Sequence, residues 1–376
     1  VGRGLRVGVI GGGQLARMMI PEAIAMGIEI KVFAEAEGMS ASLATVNVGD
    51  YTEAEELGWF ADGVDVLTFD HEHVPTSALE QLERVGISVQ PPSQALVFAQ
   101  NKLFMRQRLS QAGLPMPEWL EVQTPEQLNE FIATQGGKVI VKTPIGGYDG
   151  KGVRFVSNAD EVSDWFSSLN KLGGSLLAEQ LVDFESEIAV LSARRPSGEW
   201  RAWPAVETIQ KNGVCSQVLA PAPNVDQQKA LEIAKTISEE LGVTGVMAVE
   251  MFQTRDGQLL INELAMRPHN SGHFTIDASI TSQFEQHLRA VLDLPLGSTE
   301  MTADYAVMVN LLGVESNTNF LENFEPTMHR FPEAKIHTYG KAPRPGRKMG
   351  HITVLGDDLE TAKSRALLAA AVISGS

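Results

Sequence analysis

The sequence lacks the features that mark several large classes of protein. Cys215 is its only cysteine among 376 residues, so no disulfide within the chain is possible and no zinc or dithiol redox site follows. No apolar run has the length of a membrane-spanning helix. The apolar stretch at residues 5–10 is interrupted by Gly8 and followed by three glycines, unlike a secretory leader. These absences predict a soluble, cytoplasmic enzyme that contacts no membrane.

Positive charge is scarce as well. The chain has 30 lysines and arginines against 47 aspartates and glutamates, which gives a formal net charge of −17 and a pI near 4.9. Nucleic acids and anionic membranes are disfavoured as partners, because each phosphate contact needs a Lys or Arg. Any site for a phosphorylated ligand must therefore be a local cluster of cations.

Strands and helices alternate over the first hundred residues. An apolar run at residues 5–10 ends in glycines and precedes a helical pattern that starts at Leu15. Further strands are predicted at 28–34 and 64–69, and this alternation predicts a doubly wound parallel sheet. The pair Pro91-Pro92 indicates a domain boundary near residue 100. A single helix is predicted over residues 94–111.

The remainder of the chain has a different pattern. Strands are predicted at 138–142 and 153–156, on either side of a glycine-dense loop. Two sharp turn sequences near residues 195–198 and 211–213 indicate antiparallel hairpins. Strands near 304–312, 335–339 and 351–355, with an alanine-rich terminal helix, predict a small third domain.

The first glycine loop, Gly11-Gly-Gly-Gln-Leu-Ala16, fits the dinucleotide fingerprint G-x-G-x-x-A. Glu35 lies near the end of the next predicted strand, where a ribose partner would sit. The same loop is also a general way to bring backbone N–H groups to an anion. Dinucleotide binding, contact with another anionic ligand, and a merely tight turn all stay open from these residues.

The second glycine loop, Lys142-Thr-Pro-Ile-Gly-Gly-Tyr-Asp-Gly-Lys-Gly152, lies between two strands. Such a segment can fold its amides and Lys151 over a polyphosphate. It is not a Walker A loop, because Gly152 follows Lys151 where Ser or Thr is required and no helix comes next. An ordinary flexible hairpin loop is the alternative.

Two carboxylates are predicted to face each other in the hairpin around Asp256-Gly257. A two-residue turn pairs positions whose numbers add to 513, which places Glu250 opposite Glu263. Facing carboxylates repel unless a positive group lies between them. Mg²⁺ with substrate phosphates is the natural occupant, and a solvated face with neighbouring cations is the alternative.

Two polar segments are dense in cations. One is Arg267-Pro-His-Asn-Ser-Gly-His273, and the other is Arg344-Pro-Gly-Arg-Lys348. Arginine-rich segments of this kind favour anion recognition. A solvated basic turn is the alternative for the second segment.

Three long motifs together resemble the N5-carboxyaminoimidazole ribonucleotide synthase family of the ATP-grasp superfamily. They are Gly146-Gly-Tyr-Asp-Gly-Lys-Gly152, Asn262-Glu-Leu-Ala-Met-Arg-Pro-His-Asn-Ser-Gly-His273 and Arg344-Pro-Gly-Arg-Lys-Met-Gly-His351. The resemblance extends over nearly the whole chain. It implies an ATP-grasp fold with an N-terminal doubly wound parallel-sheet (pre-ATP-grasp) domain at 1–100. An ATP-grasp domain would follow at 101–300, with a mobile lobe at about 115–182, and a small C-terminal domain at 301–376.

The resemblance also implies an activity. The enzyme would use ATP and bicarbonate to carboxylate 5-aminoimidazole ribonucleotide, through carboxyphosphate, in purine biosynthesis. It would need Mg²⁺, with Mn²⁺ as the alternative ion, and would form a homodimer. A formate- or amino-acid-using ATP-grasp ligase and a nicotinamide-dependent oxidoreductase are the alternatives.

The family likeness assigns roles to individual residues. Glu250 and Glu263 would bind the metal. ATP would contact Lys102, Lys142, Gly147, Tyr148, Asp149, Gly150, Lys151, Gly152, Val153, Glu179, Gln180, Leu181, Val182, Glu187, Asn262 and Glu263. The ribonucleotide would contact Gln14, Glu72, Tyr148, Lys151, Arg267, His269, Arg344, Arg347 and Lys348. The catalytic candidates are Asp149, Lys348, His269 and Arg267.

Overall fold

Three β-sheets organise the chain in the computed structural model, which describes residues 4–146, 152–211, 213–313 and 320–375. Within these ranges, no helix combines the length and the apolarity needed to cross a bilayer.

The N-terminal sheet is parallel, as predicted. It contains β1 (Arg6–Ile10), β2 (Glu29–Ala34), β3 (Thr45–Val48) and β4 (Val66–Phe69), in the order β3-β2-β1-β4. Its helices are α1 (Gln14–Met26), α2 (Ala54–Ala61) and α3 (Thr76–Arg84). The edge strand β3 escaped prediction because it is short and mostly exposed. The carboxyl ends of β1, β2 and β4 bring Gly11, Glu35 and Asp70 to one edge.

The helix predicted over 94–111 is two helices, α4 (Ser93–Gln100) and α5 (Lys102–Gln111). Asn101 separates them with extended backbone angles, φ −128° and ψ 107°. Its side-chain oxygen accepts hydrogen bonds from the backbone N–H groups of Leu103 and Phe104, at 3.0 and 3.2 Å. Asn is a strong N-cap residue, so Lys102 lies in the first turn of a new helix instead of mid-helix.

The second sheet is small and antiparallel. Its strands are β5 (Trp119–Val122), β6 (Val139–Lys142), β7 (Val153–Val156) and β8 (Leu176–Gln180), in the order β5-β8-β6-β7. The helices of this part are α6 (Pro125–Thr134) and α7 (Ser163–Phe166). A core that includes Phe131, Val141 and Ala178 holds the sheet together.

The third sheet is the largest. Its strands are β9 (Phe184–Arg194), β10 (Trp200–Ala202), β11 (Val206–Lys211), β12 (Val214–Ala220), β13 (Gly245–Thr254), β14 (Leu259–Ala265), β15 (Tyr305–Leu312), β16 (Lys335–Thr338) and β17 (Lys348–Gly356). The strand order is β14-β13-β9-β11-β12-β15-β17-β16, with β10 paired to β9. The helices are α8 (Gln227–Glu240), α9 (Thr275–Ala278), α10 (Gln283–Val291), α11 (Phe324–Arg330) and α12 (Leu359–Ser374).

The C-terminal strands continue this sheet. Strand β15 pairs antiparallel with β12, from Gln217 opposite Val309 to Ala220 opposite Ala306. Residues 301–376 therefore share backbone hydrogen bonds with the preceding part, and the division into three domains stays a prediction. Helix α8 packs on one face of β9 and β13, where Ile237 and Met251 belong to one core. The opposite face of these strands carries the acidic side chains.

Candidate active site

The predicted facing glutamates are present at one edge of the large sheet, where β14 is the terminal strand. Glu250 on β13 pairs directly with Glu263 on β14. The turn prediction was wrong, however, because Thr254 N–H donates to the Gln258 carbonyl at 2.9 Å and closes a three-residue loop. The register changes between Glu250 and Met251. This β-bulge shifts the pairing by one residue, so that Glu250 still lies opposite Glu263 although the loop is one residue longer than predicted.

The extra residue of the bulge is Asn262. Met251 pairs with Ile261 and Glu250 with Glu263, so Asn262 has no partner of its own on β13. A bulge re-aims side chains that would otherwise alternate between the two faces. The Asn262 side-chain oxygen consequently accepts a hydrogen bond from Lys142 Nζ at 3.0 Å, while Glu263 faces Glu250.

A third acid lies on the same face. Glu250 pairs with Ala189 on β9, and Glu187 lies two residues before Ala189, so their side chains share one side of the sheet. Burial and the neighbouring carboxylates of Glu263 and Glu187 raise the pKa of Glu250 to about 7, against the lowering effect of Lys348 and Arg267. Burial also raises the pKa of Glu187.

This excess of negative charge fits a divalent cation. No cluster of three or more His, Cys, Asp or Glu side chains in the described ranges is arranged to hold a metal ion by itself. Mg²⁺ commonly takes one or two carboxylates and completes its coordination with phosphate oxygen and water. The pair Glu250 and Glu263 fits that pattern.

A buried group of charged side chains contacts β14 beside Glu263. Lys142 Nζ is 2.7 Å from Glu179 Oε2, and Arg106 Nε is 2.5 Å from Glu179 Oε1. Burial raises the pKa of Glu179, but Arg106 and Lys142 outweigh burial and lower it to about 2. The sequence had not identified Arg106, because a cation on a predicted helix is usually solvent-exposed.

Lys102 lies beside the second glycine loop. Its backbone N–H donates to the Pro144 carbonyl at 2.9 Å, and its Nζ is 3.4 Å from the Gly146 carbonyl oxygen. Beyond the loop, Val153 pairs with Lys142 at the start of β7, and the Gly152 carbonyl accepts from Thr143 N–H at 3.0 Å. The predicted lid residues Gly147, Tyr148, Asp149, Gly150 and Lys151 lie outside the described residues.

The predicted adenine segment, residues 179–182, covers the end of β8 and the two residues after it. Gln180 ends the strand, Leu181 is exposed and Val182 is buried. Gln180, Val182 and Leu260 line a cavity of about 510 Å³. Phe252 pairs with Glu187 in the sheet register and stacks on Phe184 at a centroid distance of 4.7 Å.

Arg267 connects the acidic strands to the N-terminal sheet. Its Nε is 2.7 Å from Glu72 Oε2, and Glu72 Oε1 accepts from the Met266 backbone N–H at 3.1 Å. Glu72 follows β4, almost 200 residues earlier in the chain. The structure therefore brings together two of the predicted ribonucleotide contacts.

His269 faces the acidic pair in its neutral form. Its Nε2 is 3.7 Å from Glu250 Oε1. Burial, with the positive charges of Arg267 and Lys348, lowers the pKa of His269 well below its usual value. The Ser271 hydroxyl lies 2.9 Å from His269 Nδ1, and the Ser271 backbone N–H donates to the same nitrogen at 3.4 Å. This arrangement favours the tautomer with its proton on Nε2, on the side of Glu250.

The C-terminal cations reach the same region in part. Lys348 begins β17, and its charge acts on Glu250, as the pKa of Glu250 shows. Arg347 donates to the Ala342 carbonyl at 3.1 Å, and Arg344 is exposed. Gln14 accepts a hydrogen bond from Lys341 at 2.6 Å, which links the first glycine loop to the segment before these cations.

Three family models match the sequence in succession. Residues 5–100 match the ribonucleotide synthetase preATP-grasp domain, residues 107–284 the ATP-grasp domain, and residues 306–365 the phosphoribosylaminoimidazole carboxylase C-terminal domain.

Similarity to individual proteins covers nearly all of the chain. An N5-carboxyaminoimidazole ribonucleotide synthase of Mycobacterium bovis is 46% identical, with 97% of this chain and 86% of that protein covered. A crystal structure of an Aspergillus clavatus carboxyaminoimidazole ribonucleotide synthase complexed with ATP is 34% identical, covers 98% of each chain and has a TM-score of 0.88. The chain belongs to the N5-carboxyaminoimidazole ribonucleotide synthase family.

A second Aspergillus clavatus structure contains ADP and 5-aminoimidazole ribonucleotide. It is 33% identical with a TM-score of 0.88, and the alignment covers 98% of this chain and 99% of that one. These relatives confirm the family, the fold class and the enzyme class that were predicted from the sequence. None of them tests the roles assigned to individual residues.

In the first glycine loop, carboxylates of the protein itself accept hydrogen bonds from backbone N–H groups, which accords with membership in this synthase family. The Gly12 N–H donates to Glu35 at 2.9 Å, and the Ala16 N–H donates to Asp70 at 2.8 Å. A Cβ added at Gly13 would overlap the Asp70 carboxylate. The protein's own acids thus occupy the amides that a dinucleotide pyrophosphate would need, and the structure opposes the nicotinamide alternative.

Proposed function

We propose that this chain carboxylates 5-aminoimidazole ribonucleotide with ATP and bicarbonate, releasing ADP and phosphate, in de novo purine biosynthesis. The observation that carries the proposal is the facing pair Glu250 and Glu263, beside which Lys142 Nζ lies 3.0 Å from the side-chain oxygen of Asn262 and 2.7 Å from Glu179. A triphosphate with a divalent cation needs acids for the metal and cations for the phosphates. Similarity to synthases over nearly the whole chain supports the same conclusion.

Glu250 and Glu263 would hold Mg²⁺, or Mn²⁺ in its place. The bound ion neutralises charge that develops on the transferred phosphoryl group. The support is electrostatic: burial and the adjacent carboxylates disfavour the ionised form of Glu250, and a divalent cation would reverse that effect.

The remaining nucleotide contacts surround this pair. Lys102 and Lys142 would bind phosphate oxygens, with Asn262 beside them. The segment 179–182 would contact adenine and Glu187 the ribose hydroxyls. The burial of Lys142, which is only 5% exposed, supports its role because a desolvated charge attracts phosphate more strongly.

The ribonucleotide would bind between the N-terminal sheet and the C-terminal cations. Its contacts are proposed to be Gln14, Glu72, Tyr148, Lys151, Arg267, His269, Arg344, Arg347 and Lys348. The bridge between Glu72 and Arg267 supports this location. Three cations in five residues give an otherwise acidic protein a local site for the substrate phosphate.

Bicarbonate is a poor electrophile, so the reaction begins when its oxygen attacks the γ-phosphorus and displaces ADP. The product, carboxyphosphate, then delivers CO₂ or the carboxyl group to the substrate amine and releases phosphate. The neutral His269 can donate a hydrogen bond from Nε2 to an oxygen that gains negative charge. Asp149, Lys348 and His269 are the proposed groups for proton transfer, and Arg267 would orient the reacting anion.

Carboxyphosphate would be lost to water in an open site, so the second glycine loop is proposed to close over it. Replacing Lys151 and Asp149 together by Ala should then uncouple ATP hydrolysis from carboxylation. Unchanged coupling, measured as ADP formed per carboxylated product, would remove that role from the loop.

ADP production with and without aminoimidazole ribonucleotide and bicarbonate tests the proposed reaction directly. We expect turnover to depend on both. Turnover with formate or an amino acid in place of bicarbonate would instead support another ATP-grasp ligase. Quenching of NADH fluorescence on titration would support the oxidoreductase alternative.

We further propose that the enzyme acts in the cytoplasm as a homodimer. The single cysteine fits a reducing compartment. Sedimentation of the purified chain tests the dimer, and a monomer at all concentrations would exclude it.

A further inference from the structure

Arg106 has a position that none of the roles above uses. Its side chain is completely buried, with Nε at 2.5 Å from Glu179 Oε1. Its two terminal nitrogens donate to the carbonyls of Ile261 and Asn262, at 2.9 and 2.8 Å. The planar guanidinium thus joins α5 to the end of β8 and to β14, immediately before Glu263.

The contact between Arg106 and Glu179 changes the net charge around Lys142. Glu179 uses one carboxylate oxygen for Arg106 and the other for Lys142. The three buried side chains together carry one net positive charge. Without Arg106, Glu179 would pair with Lys142 alone, and the pair would be neutral. Charge counts for more here than at a surface, because water does not screen it.

We propose that Arg106 is a positioning residue for the nucleotide. It engages Glu179, so that Arg106, Lys142 and Glu179 together keep a net positive charge, which Lys142 presents to the polyphosphate. The inference rests on the proposed phosphate-binding role of Lys142.

The first test is the affinity for ADP with Mg²⁺, measured by calorimetry. Arg106→Met should weaken binding by about tenfold or more. Arg106→Lys, which keeps the charge but loses the fork of donors, should remain within about threefold of the unchanged protein. Equal weakening in the two variants would overturn the inference, since charge would then not be what matters.

Arg108→Met is the matched control. Arg108 lies two residues further along α5 and forms a partly exposed ion pair with Glu240, at 2.6 Å. Its loss should leave ADP affinity unchanged. Thermal unfolding of every variant shows that each is folded before its affinity is compared.

The decisive test is a double-mutant cycle with Glu179→Gln. If Arg106 acts by engaging the charge of Glu179, Arg106→Met should cost little ADP affinity when it is added to Glu179→Gln, because Lys142 is then no longer neutralised. A purely structural role predicts the same loss in both backgrounds. A loss in the Glu179→Gln background as large as that in the unchanged protein would therefore contradict the proposal.

The outcomes separate the two levels of inference. If the unchanged protein binds no ADP, the proposed function fails. If it binds ADP and Arg106→Met binds equally well, only the role of Arg106 fails. In steady state the Michaelis constant for ATP should rise in Arg106→Met, while that for aminoimidazole ribonucleotide stays unchanged.

Discussion

Glu250 and Glu263 face each other across β13 and β14, with Asn262 bulged out of register beside them. Two adjacent carboxylates in a half-buried site destabilise the empty protein. The same arrangement suits a cation accompanied by phosphates. Under the proposed metal-binding role, the pair links stability to function, and both can be measured.

Glu263→Gln should lower the rate of ADP production by at least about a hundredfold at moderate Mg²⁺ concentration, because the transition-state charge loses its counter-ion site. Added Mg²⁺ should restore part of the activity. Steady-state assays across a Mg²⁺ titration measure both effects. The exposed Glu239→Gln on α8 serves as the control and should leave activity unchanged.

Glu250→Gln should stabilise the metal-free protein in a pH-dependent manner. The pKa of Glu250 is raised from 4.5 to about 7 in the folded state. The free energy of unfolding therefore falls once the carboxyl group ionises in the unfolded chain. The penalty is absent below pH 4.5, grows between pH 4.5 and 7, and is complete above pH 7. Thermal unfolding should show the largest gain in the variant at pH 8 and almost none near pH 4. A gain that does not vary with pH would contradict this account.

Glu72→Gln should weaken binding of the ribonucleotide more than that of ATP. The substitution removes the ion pair that fixes Arg267 at 2.7 Å. We expect the Michaelis constant for aminoimidazole ribonucleotide to rise by about tenfold, with that for ATP nearly unchanged. Glu285→Gln breaks a comparable pair with Arg289 on α10, at 2.5 Å, and should affect neither constant. Equal increases in both constants for Glu72→Gln would disprove the assignment.

Gly13→Ala should destabilise the protein by about 1–3 kcal/mol, because its Cβ would overlap the Asp70 carboxylate. Combining it with Asp70→Ala should cost less than the sum of the two single changes, since the clash disappears. Denaturant unfolding measures all three variants. Gly58→Ala within α2 meets nothing within 4 Å and should instead stabilise by about 0.5–1 kcal/mol.

The parts of the fold that depend on local periodicity could be predicted from the sequence. The parallel N-terminal sheet is one example, and the antiparallel hairpins are another. The single helix over 94–111 was wrong at Asn101, because one capping residue can interrupt an otherwise continuous helical pattern. Asn262 shows the same limit for strands, since a bulge shifts the register without a clear signal in the sequence.

The candidate site was predictable where chemistry follows spacing. Glu250 and Glu263 lie close along the chain, and hairpin geometry relates them directly. Arg106 and Asp70 depend instead on contacts between distant segments. Asp70 lies 54 residues from the helix terminus that it caps. The fingerprint at the first glycine loop contains no sign that such an acid occupies it.

The unbroken hydrogen bonding from β14 to β16 has a mechanical consequence. Glu250 and Glu263, which are proposed to bind the metal, and Lys348 belong to one hydrogen-bonded sheet, so their separation is fixed when the protein folds. The strands β5, β8, β6 and β7 form a separate sheet. Any opening of the proposed nucleotide site must therefore move the β5-β8-β6-β7 sheet and leave the distance from Glu250 and Glu263 to Lys348 unaltered.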